Sequence, residues 1–389
     1  MKKVCFISLS RSDYASLKPI IQASLKHAQF ETSVIAGGSH LLKRFGASIG
    51  QFHMDGIPIS HIVDFMLDSD NSEQDIARAY GRAYQQFVDT YDNLKPDYIF
   101  ILGDRWEILA AAQAASFMRL PIIHHSGGDL TQGSLDNQTR YILTNLSHFH
   151  LTAVDEHKRR IEAIGEEPWR VTVVGEPALT GIKGKATNAS VIRRLFGLRK
   201  REKFVLATFH PTTFDSASFE DQVSIYIKAL RLIDDKVILT APNPDAGSKV
   251  FLDELTKFAS THQNILLFEN LGADRYYGAM SEADYMIGNS SSGIWEAPSF
   301  KLPVINIGER QRDRIRANNV IDTPLSETAI KESLSLIKQR SFRDSIEKVT
   351  NPYVKDNTIE LILEGITFAL DCKKVLLAKK LIDPIRSNT

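Results

Sequence analysis

The stretch Gly288-Asn289-Ser290-Ser291-Ser292-Gly293 sets three hydroxyls and two glycines between the apolar run Ala283–Ile287 and the apolar start Ile294-Trp295. It reads as strand, tight turn, helix start. Such a turn leaves backbone N–H groups unpaired at the positive end of a helix, where they and nearby hydroxyls cradle phosphate. Glu296 falls on the expected first helical turn, where a carboxylate accepts from sugar hydroxyls. A Ser/Gly turn that only caps its own helix is the plainer reading. The chemical one gains weight from other phosphate- and proton-handling segments at comparable strand ends.

In the first half, Ser8-Leu9-Ser10-Arg11-Ser12-Asp13 follows an apolar strand, and Arg11 offers a planar fork of donors suited to a diphosphate. Its plain alternative is a solvated Arg11 with Asp13 as an N-cap. Asp104, in Gly103-Asp104-Arg105, reads either as an N-cap or as a base or orienter of a sugar hydroxyl. His124-His125-Ser126-Gly127-Gly128-Asp129 and the later Asp136 bring paired glycines and two spaced carboxylates to a strand end. Glycine lets backbone approach a ligand, and two carboxylates divide acid and base roles where a site separates their pKa values. Asp136 also suits a helix cap.

In the second half, His210, fixed by Pro211, can donate to a phosphate or be a satisfied structural histidine. Asn243, in Pro242-Asn243-Pro244-Asp245, suits nucleoside or sugar hydroxyls, or an ordinary turn. Arg310, Arg312, Arg314 and Arg316 interleave with acids. That pattern is usually a solvated face, although one or two of these arginines can meet a nucleotide.

The elements that must position these residues alternate. Candidate strands are Val4–Ser8, Thr32–Ala36, Tyr98–Leu102, Pro121–His125, Phe149–Ala153 and Val171–Val174, then Phe204–Thr208, Lys236–Thr240, Ile265–Phe268, Tyr285–Gly288 and Val304–Ile307. Helix-length amphipathic segments such as Asp75–Asn93, Trp106–Met118 and Phe219–Ile233 separate them. Nearly all-apolar strands of this kind belong to parallel sheets covered on both faces. About eleven strands overfill one open sheet. The expected organisation is α/β, with two doubly wound Rossmann-like domains at 1–175 and 176–365 facing a central cleft, the GT-B arrangement. A final helix, 366–389, is able to pack back on the first domain. Ligands in such sheets gather beyond the strands' carboxyl ends.

Of 389 residues, 43% are hydrophobic and 24% charged, and 47 basic residues balance 47 acidic ones. That balance removes a bulk electrostatic case for nucleic acid or anionic membrane. No apolar run approaches the ~20 residues of a membrane span. Val4–Ser8 is too short for a signal core and reads as a first buried strand. Cys5 and Cys372 are too few for a disulfide or metal framework, which points to a reducing cytoplasm.

Taken together, the motifs resemble the hydrolysing UDP-N-acetylglucosamine 2-epimerase family of sialic-acid and related nonulosonate synthesis. The resemblance runs from Ser10 to about Asp322. It rests on Gly103-Asp104-Arg105, Gly127-Gly128-Asp129 with Asp136 and Arg140, His210-Pro211, Asn243 with Asp245-Ala246-Gly247-Ser248, Gly288-Asn289-Ser290-Ser291, and Asn306-Ile307-Gly308 with Arg310-Gln311. It implies a UDP- or GDP-sugar substrate, no organic cofactor, no metal, and a homodimer or homotetramer. The implied reaction is elimination of the nucleoside diphosphate to a glycal, then hydration with inversion at C2. By position, Asp104, Asp129 and Asp136 match the family's essential carboxylates. Arg11, His210, Ser290 and Ser291 match diphosphate contacts, and Glu296 a ribose contact.

Four positions depart from the family pattern: Asp129 for Glu, Leu9 for Gly, Ser126 for Glu or His, and Tyr141 for His. They crowd the catalytic cluster and leave two outcomes open. One is a variant substrate such as a 2,4-diacetamido-trideoxy sugar nucleotide, the other a nucleotide-sugar binding protein with impaired catalysis. A non-hydrolysing UDP-GlcNAc 2-epimerase is a separate alternative, and the Gly-Gly-Asp form and the Ser-Ser-Ser turn favour the hydrolysing branch over it.

Overall fold

The computed structural model describes residues 1–67, 72–131, 135–212, 215–242, 247–380 and 382. The chain divides into two compact units. Unit 1 comprises Met1–Asp129, Leu135–Thr180 and Tyr353–Thr389; unit 2 comprises Leu130–Ser134 and Gly181–Pro352.

Unit 1 carries β1 (Lys2–Ser8), β2 (Phe30–Gly37), β3 (His61–Val63), β4 (Tyr98–Leu102), β5 (Ile122–His125), β6 (Phe149–Thr152) and β7 (Val171–Val173). They pair in the order β3-β2-β1-β4-β5-β6-β7, parallel throughout. Its helices are α1 (Arg11–Ser24), α2 (Gly50–Met54), α3 (Glu73–Leu94), α4 (Trp106–Phe117), α5 (Leu135–Leu146) and α6 (Asp155–Ala163). All five residues of β4 are buried, as a strand covered on both faces requires. Five buried alanines on α4 keep that helix thin enough to sit close to its neighbours.

Unit 2 repeats the scheme with β8 (Phe204–Thr208), β9 (Lys236–Thr240), β10 (Ile265–Phe268), β11 (Tyr285–Gly288), β12 (Val304–Ile307) and β13 (Val320–Thr323). Their order is β10-β9-β8-β11-β12-β13. Here the helices are α7 (Ile182–Lys185), α8 (Ala189–Leu195), α9 (Phe219–Leu230), α10 (Ser248–Thr261), α11 (Ala273–Glu282), α12 (Ser292–Trp295), α13 (Glu327–Leu336) and α14 (Arg340–Ile346). Val205, Leu239, Tyr285 and Ile305 build one face of its core, and Leu206, Ile238, Met286 and Val304 the other.

Each sheet reverses direction once, between β1 and β4 in unit 1 and between β8 and β11 in unit 2. Ligands of doubly wound sheets bind beyond the carboxyl ends of strands at such switch points. The loops there begin at Leu9, Gly103, Phe209 and Asn289, so each switch point receives segments singled out for their chemistry.

Two strands were not foreseen. β3 and β13 are sheet edges of three and four residues that stay partly exposed, so neither shows the continuous apolar run that marks a central strand. The return of the chain also differs from expectation. It rejoins unit 1 at Tyr353, ahead of residue 366, because α15 (Thr358–Asp371) buries Ile362, Ile366 and Ala369 in the unit 1 core. Among the described residues no helix is long and apolar enough to cross a membrane.

Candidate active site

In unit 1, one guanidinium organises the carboxylate cluster. Arg140, on α5 and only 3% exposed, pairs through Nη2 with the Asp104 carboxylate. Through Nη1 it donates to the Asp129 carbonyl oxygen at 3.0 Å and to Asn137 Oδ1 at 3.4 Å. Asp104 is therefore not a helix cap. The N-cap of α4 is Arg105, with no side-chain cap bond, and Asp104 is left to meet the arginine.

Asp129 is 2% exposed, and its Oδ1 lies 3.3 Å from Nε2 of His157 on α6. The backbone that carries it is tightly fitted. Gly128 has φ +79°, and a Cβ there would stand 2.4 Å from the His157 carbonyl oxygen, so only glycine fits. Asp136 is half-buried on the first turn of α5, one turn before Arg140. A cavity of about 10 Å³, room for a single water, lies against Gly128, Asp129, Arg140 and Thr144.

The two histidines of β5 are structural. His124 Nε2 bonds the Gly103 carbonyl oxygen at 2.8 Å, and His125 Nε2 the Gly175 carbonyl oxygen at 3.1 Å. Burial presses them down to about 3 and about 4, respectively, so both are neutral. They tie the β4, β5 and β7 ends together.

Arg11 opens α1 and is exposed. Ser10 is the N-cap and Asp13 closes the capping box, accepting from the N–H of Leu9 at 3.0 Å and of Ser10 at 2.9 Å. Asp13 is thus the third helical residue rather than the cap. Burial first, and the Arg11 charge second, hold nearby His40 down at about 4.

In unit 2, the Ser-rich turn leaves β11 at Gly288, whose φ is +146° and whose Cβ would fall 1.8 Å from the Thr208 carbonyl oxygen on β8. Asn289, 1% exposed, clamps the neighbouring loop. Its Oδ1 accepts from His210 N–H at 2.7 Å and its Nδ2 donates to the His210 carbonyl at 2.8 Å. The N–H groups of Ser290 and Ser291 donate to no acceptor among the described residues. The hydroxyls of Ser290, Ser292 and Tyr276 form a chain, at 2.9 Å and 2.8 Å.

One expectation is corrected here. α12 is a single turn, and Glu296 is its C-cap rather than a first-turn residue. So short a helix has little dipole, and the free N–H groups and hydroxyls carry the anion-binding reading. His210 is 5% exposed and held well below its ordinary range by burial and by the Arg310 charge. Arg310 Nη1 donates to the Asn289 carbonyl at 3.2 Å.

The arginine run is not a uniform solvated face. Arg314, 7% exposed, donates to Leu130 O at 2.6 Å and Thr131 Oγ1 at 2.7 Å. Arg316 pairs with Asp322. Asn243 lies outside the described residues.

The geometry joins Asp104 and Asp129 through Arg140, and Ser290, His210 and Arg310 around Asn289. Sequence reasoning had quoted Arg140 and Asn289 only as parts of motifs. It passed over His157, whose place beside Asp129 carries no local sequence signal.

The chain matches the family model described as UDP-N-acetylglucosamine 2-epimerase over residues 22–367. It is 30% identical to the GDP/UDP-N,N'-diacetylbacillosamine 2-epimerase (hydrolyzing) of Campylobacter jejuni, across 88% of this chain and 89% of that one. It is 29% identical to the UDP-N,N'-diacetylbacillosamine 2-epimerase (hydrolyzing) of Legionella pneumophila, across 85% and 87%. The crystal structure of UDP-GlcNAc 2-epimerase from Neisseria meningitidis bound to UDP-GlcNAc superposes with TM-score 0.82 at 19% identity, covering 94% of this chain and all of that one. That likeness establishes the GT-B fold class.

Proposed function

We propose, from the premise that this chain belongs to the UDP-N-acetylglucosamine 2-epimerase family, that it is a hydrolysing 2-epimerase of a nucleotide-linked N-acetylated hexosamine. The observation that carries this reading is the pairing of buried Arg140 with the partly exposed Asp104 carboxylate and with the main-chain carbonyl of Asp129. Its likeness to relatives named as hydrolysing diacetylbacillosamine epimerases supports a UDP- or GDP-linked 2,4-diacetamido-trideoxy sugar as substrate. Cytoplasmic location, a place in sialic-acid-like sugar synthesis and a homo-oligomer belong to the same reading. The free thiols of Cys5 and Cys372 support the first, and exposed Phe117 and Ile142 on α4 and α5 support the last.

The chemistry assigns each group a task. A carboxylate takes the C2 proton, the C–H pair becomes the C1=C2 double bond, and the C1–O bond breaks as the diphosphate leaves with its electrons. Water then adds at C1 while a carboxyl delivers a proton to the opposite face of C2. Asp104, Asp129 and Asp136 handle these protons. Arg11, Ser290, Ser291, His210 and Arg310 take the diphosphate charge. Glu296 and Asn243 take nucleoside or sugar hydroxyls.

The test is incubation with UDP-GlcNAc and with UDP- and GDP-linked diacetamido sugars in deuterated water, followed by NMR. The expected result is free nucleoside diphosphate and a free 2-epimeric sugar deuterated at C2. Release of an intact epimerised sugar nucleotide identifies the non-hydrolysing reaction instead. Binding without turnover identifies a catalytically impaired relative.

A further inference from the structure

A line of hydroxyls in unit 2 ends on Ser290 and begins well behind the turn. Thr208 and Thr240 close β8 and β9 in register. Both are buried, with their Oγ1 atoms 2.5 Å apart. Thr208 Oγ1 lies 3.4 Å from the Tyr276 hydroxyl. Tyr276, on α11, packs against the core face that includes Leu206 and Met286, which fixes where its phenol sits. That hydroxyl lies 2.8 Å from Ser292 Oγ, and Ser292 Oγ donates to Ser290 Oγ at 2.9 Å. The Ser292 N–H donates to the same Ser290 oxygen at 3.4 Å.

A hydroxyl has one hydrogen to give and two lone pairs to fill, so direction propagates along the line. The Met286 sulfur, 4.0 Å from Ser292 Oγ, is a weak acceptor, and Ser292 gives its hydrogen to Ser290. The bond between Ser292 and Tyr276 is therefore made with the phenol's hydrogen. The phenol in turn accepts from Thr208, and Thr208 from Thr240. Burial holds the phenol above its ordinary value, so it keeps its hydrogen at neutral pH. At the far end, both lone pairs of Ser290 are filled from inside the turn. Its own hydrogen is left to point outward, and Ser290 is partly exposed where Ser292 is buried. Hydrogen bonds passed in one direction polarise one another, which makes that last hydrogen a better donor to an anion.

We propose that Tyr276 is a positioning residue: through Ser292 it aims the Ser290 hydroxyl hydrogen at the diphosphate. The proposal rests on Ser290 being a diphosphate contact, as given above. Without the phenol hydrogen, Ser292 Oγ has an open lone pair. Ser290 then donates inward to it, and the turn offers a bound anion an oxygen instead of a hydrogen.

Calorimetry with UDP and with GDP on the full chain compares the parent, Tyr276→Phe, Ser290→Ala and the double variant. Tyr276→Phe keeps the ring and should weaken the tighter-bound nucleotide about three- to tenfold. In the Ser290→Ala background the same change should cost less than about twofold, because no hydroxyl remains to be aimed. A phenol that only steadied α11 would cost the same in both backgrounds. Equal losses, or parental affinity in Tyr276→Phe, overturn the proposal. If Tyr276→Phe fails to fold, Ser292→Ala breaks the line at its next member and is held to the same two outcomes. A parent that shows this non-additivity yet turns over no sugar nucleotide refutes the functional reading and leaves the aiming role standing. A parent that binds neither nucleotide refutes both.

Discussion

The guanidinium of Arg140 pairs with the carboxylate of Asp104 across 36 residues of sequence. Because Arg140 is 3% exposed and Asp104 lies at the solvent side of the pair, neutralising the carboxylate and deleting it have different consequences. Asp104→Asn should fold and lose ~10²–10⁴-fold in turnover, read as nucleoside diphosphate release. Asp104→Ala should also lose about 3 kcal/mol of stability in denaturant titration, since a buried arginine is left uncompensated. Unchanged turnover in Asp104→Asn would remove that residue from the chemistry.

Asn289 is the brace of the unit 2 site. Its two reciprocal bonds to the His210 backbone are worth roughly 1–3 kcal/mol together. Asn289→Ala should lower the unfolding midpoint accordingly and weaken binding of nucleoside diphosphate, measured by calorimetry. A variant with a lowered midpoint but parental affinity would make Asn289 a fold residue alone.

The hydroxyl of Ser290 is the donor most directly tied to the anion reading. Ser290→Ala should reduce affinity for nucleoside diphosphate roughly ten- to a hundredfold, the range for a lost hydrogen bond to a charged group. Affinity for the uncharged sugar product should stay put. Equal losses for both ligands would argue against a phosphate contact.

Gly288 has no room for a side chain. With its Cβ position 1.8 Å from the Thr208 carbonyl oxygen, Gly288→Ala should separate β8 from β11 and destabilise unit 2 by ~3 kcal/mol or more. Hydrogen exchange of the Val205–Thr208 amides would report it. Parental protection there would contradict the register of these strands.

The buried histidines of unit 1 dictate an acid sensitivity. His125 is pressed to about 4 from an ordinary 6.5. Below 6.5 the unfolded chain takes up a proton that the folded chain refuses, so stability is lost as pH falls toward 4. His125→Asn should remove ~1.4 kcal/mol per pH unit from the slope of stability between those values. Chemical denaturation at a series of pH values measures it, and an identical slope in parent and variant would mean the imidazole is not neutral in the fold.

Much of this protein was written locally. Runs such as Tyr98–Leu102 and Phe204–Thr208 are buried on both faces, and such strands announce themselves because every side chain must be apolar. That periodicity, with turn residues at the strand ends, determined the α/β class, the doubling of the sheet and the segments where chemistry gathers. Capping was less legible. Ser10, Arg105 and Glu296 hold the cap positions that the sequence alone would have given to Asp13, Asp104 or a longer helix, since helix ends depend on which neighbour satisfies a carboxylate.

Only the tertiary structure decided the partners. Asp104 meets Arg140, Asp129 meets His157, Asn289 meets the His210 backbone, and Glu176 meets Ser16 from 160 residues away. A composition or spacing rule cannot specify such pairs, because crossovers between parallel strands bring residues together over distances that carry no local signal. Which carboxylates lie beside a guanidinium or an imidazole follows from burial and from those neighbours. Both exist only once the sheets have formed.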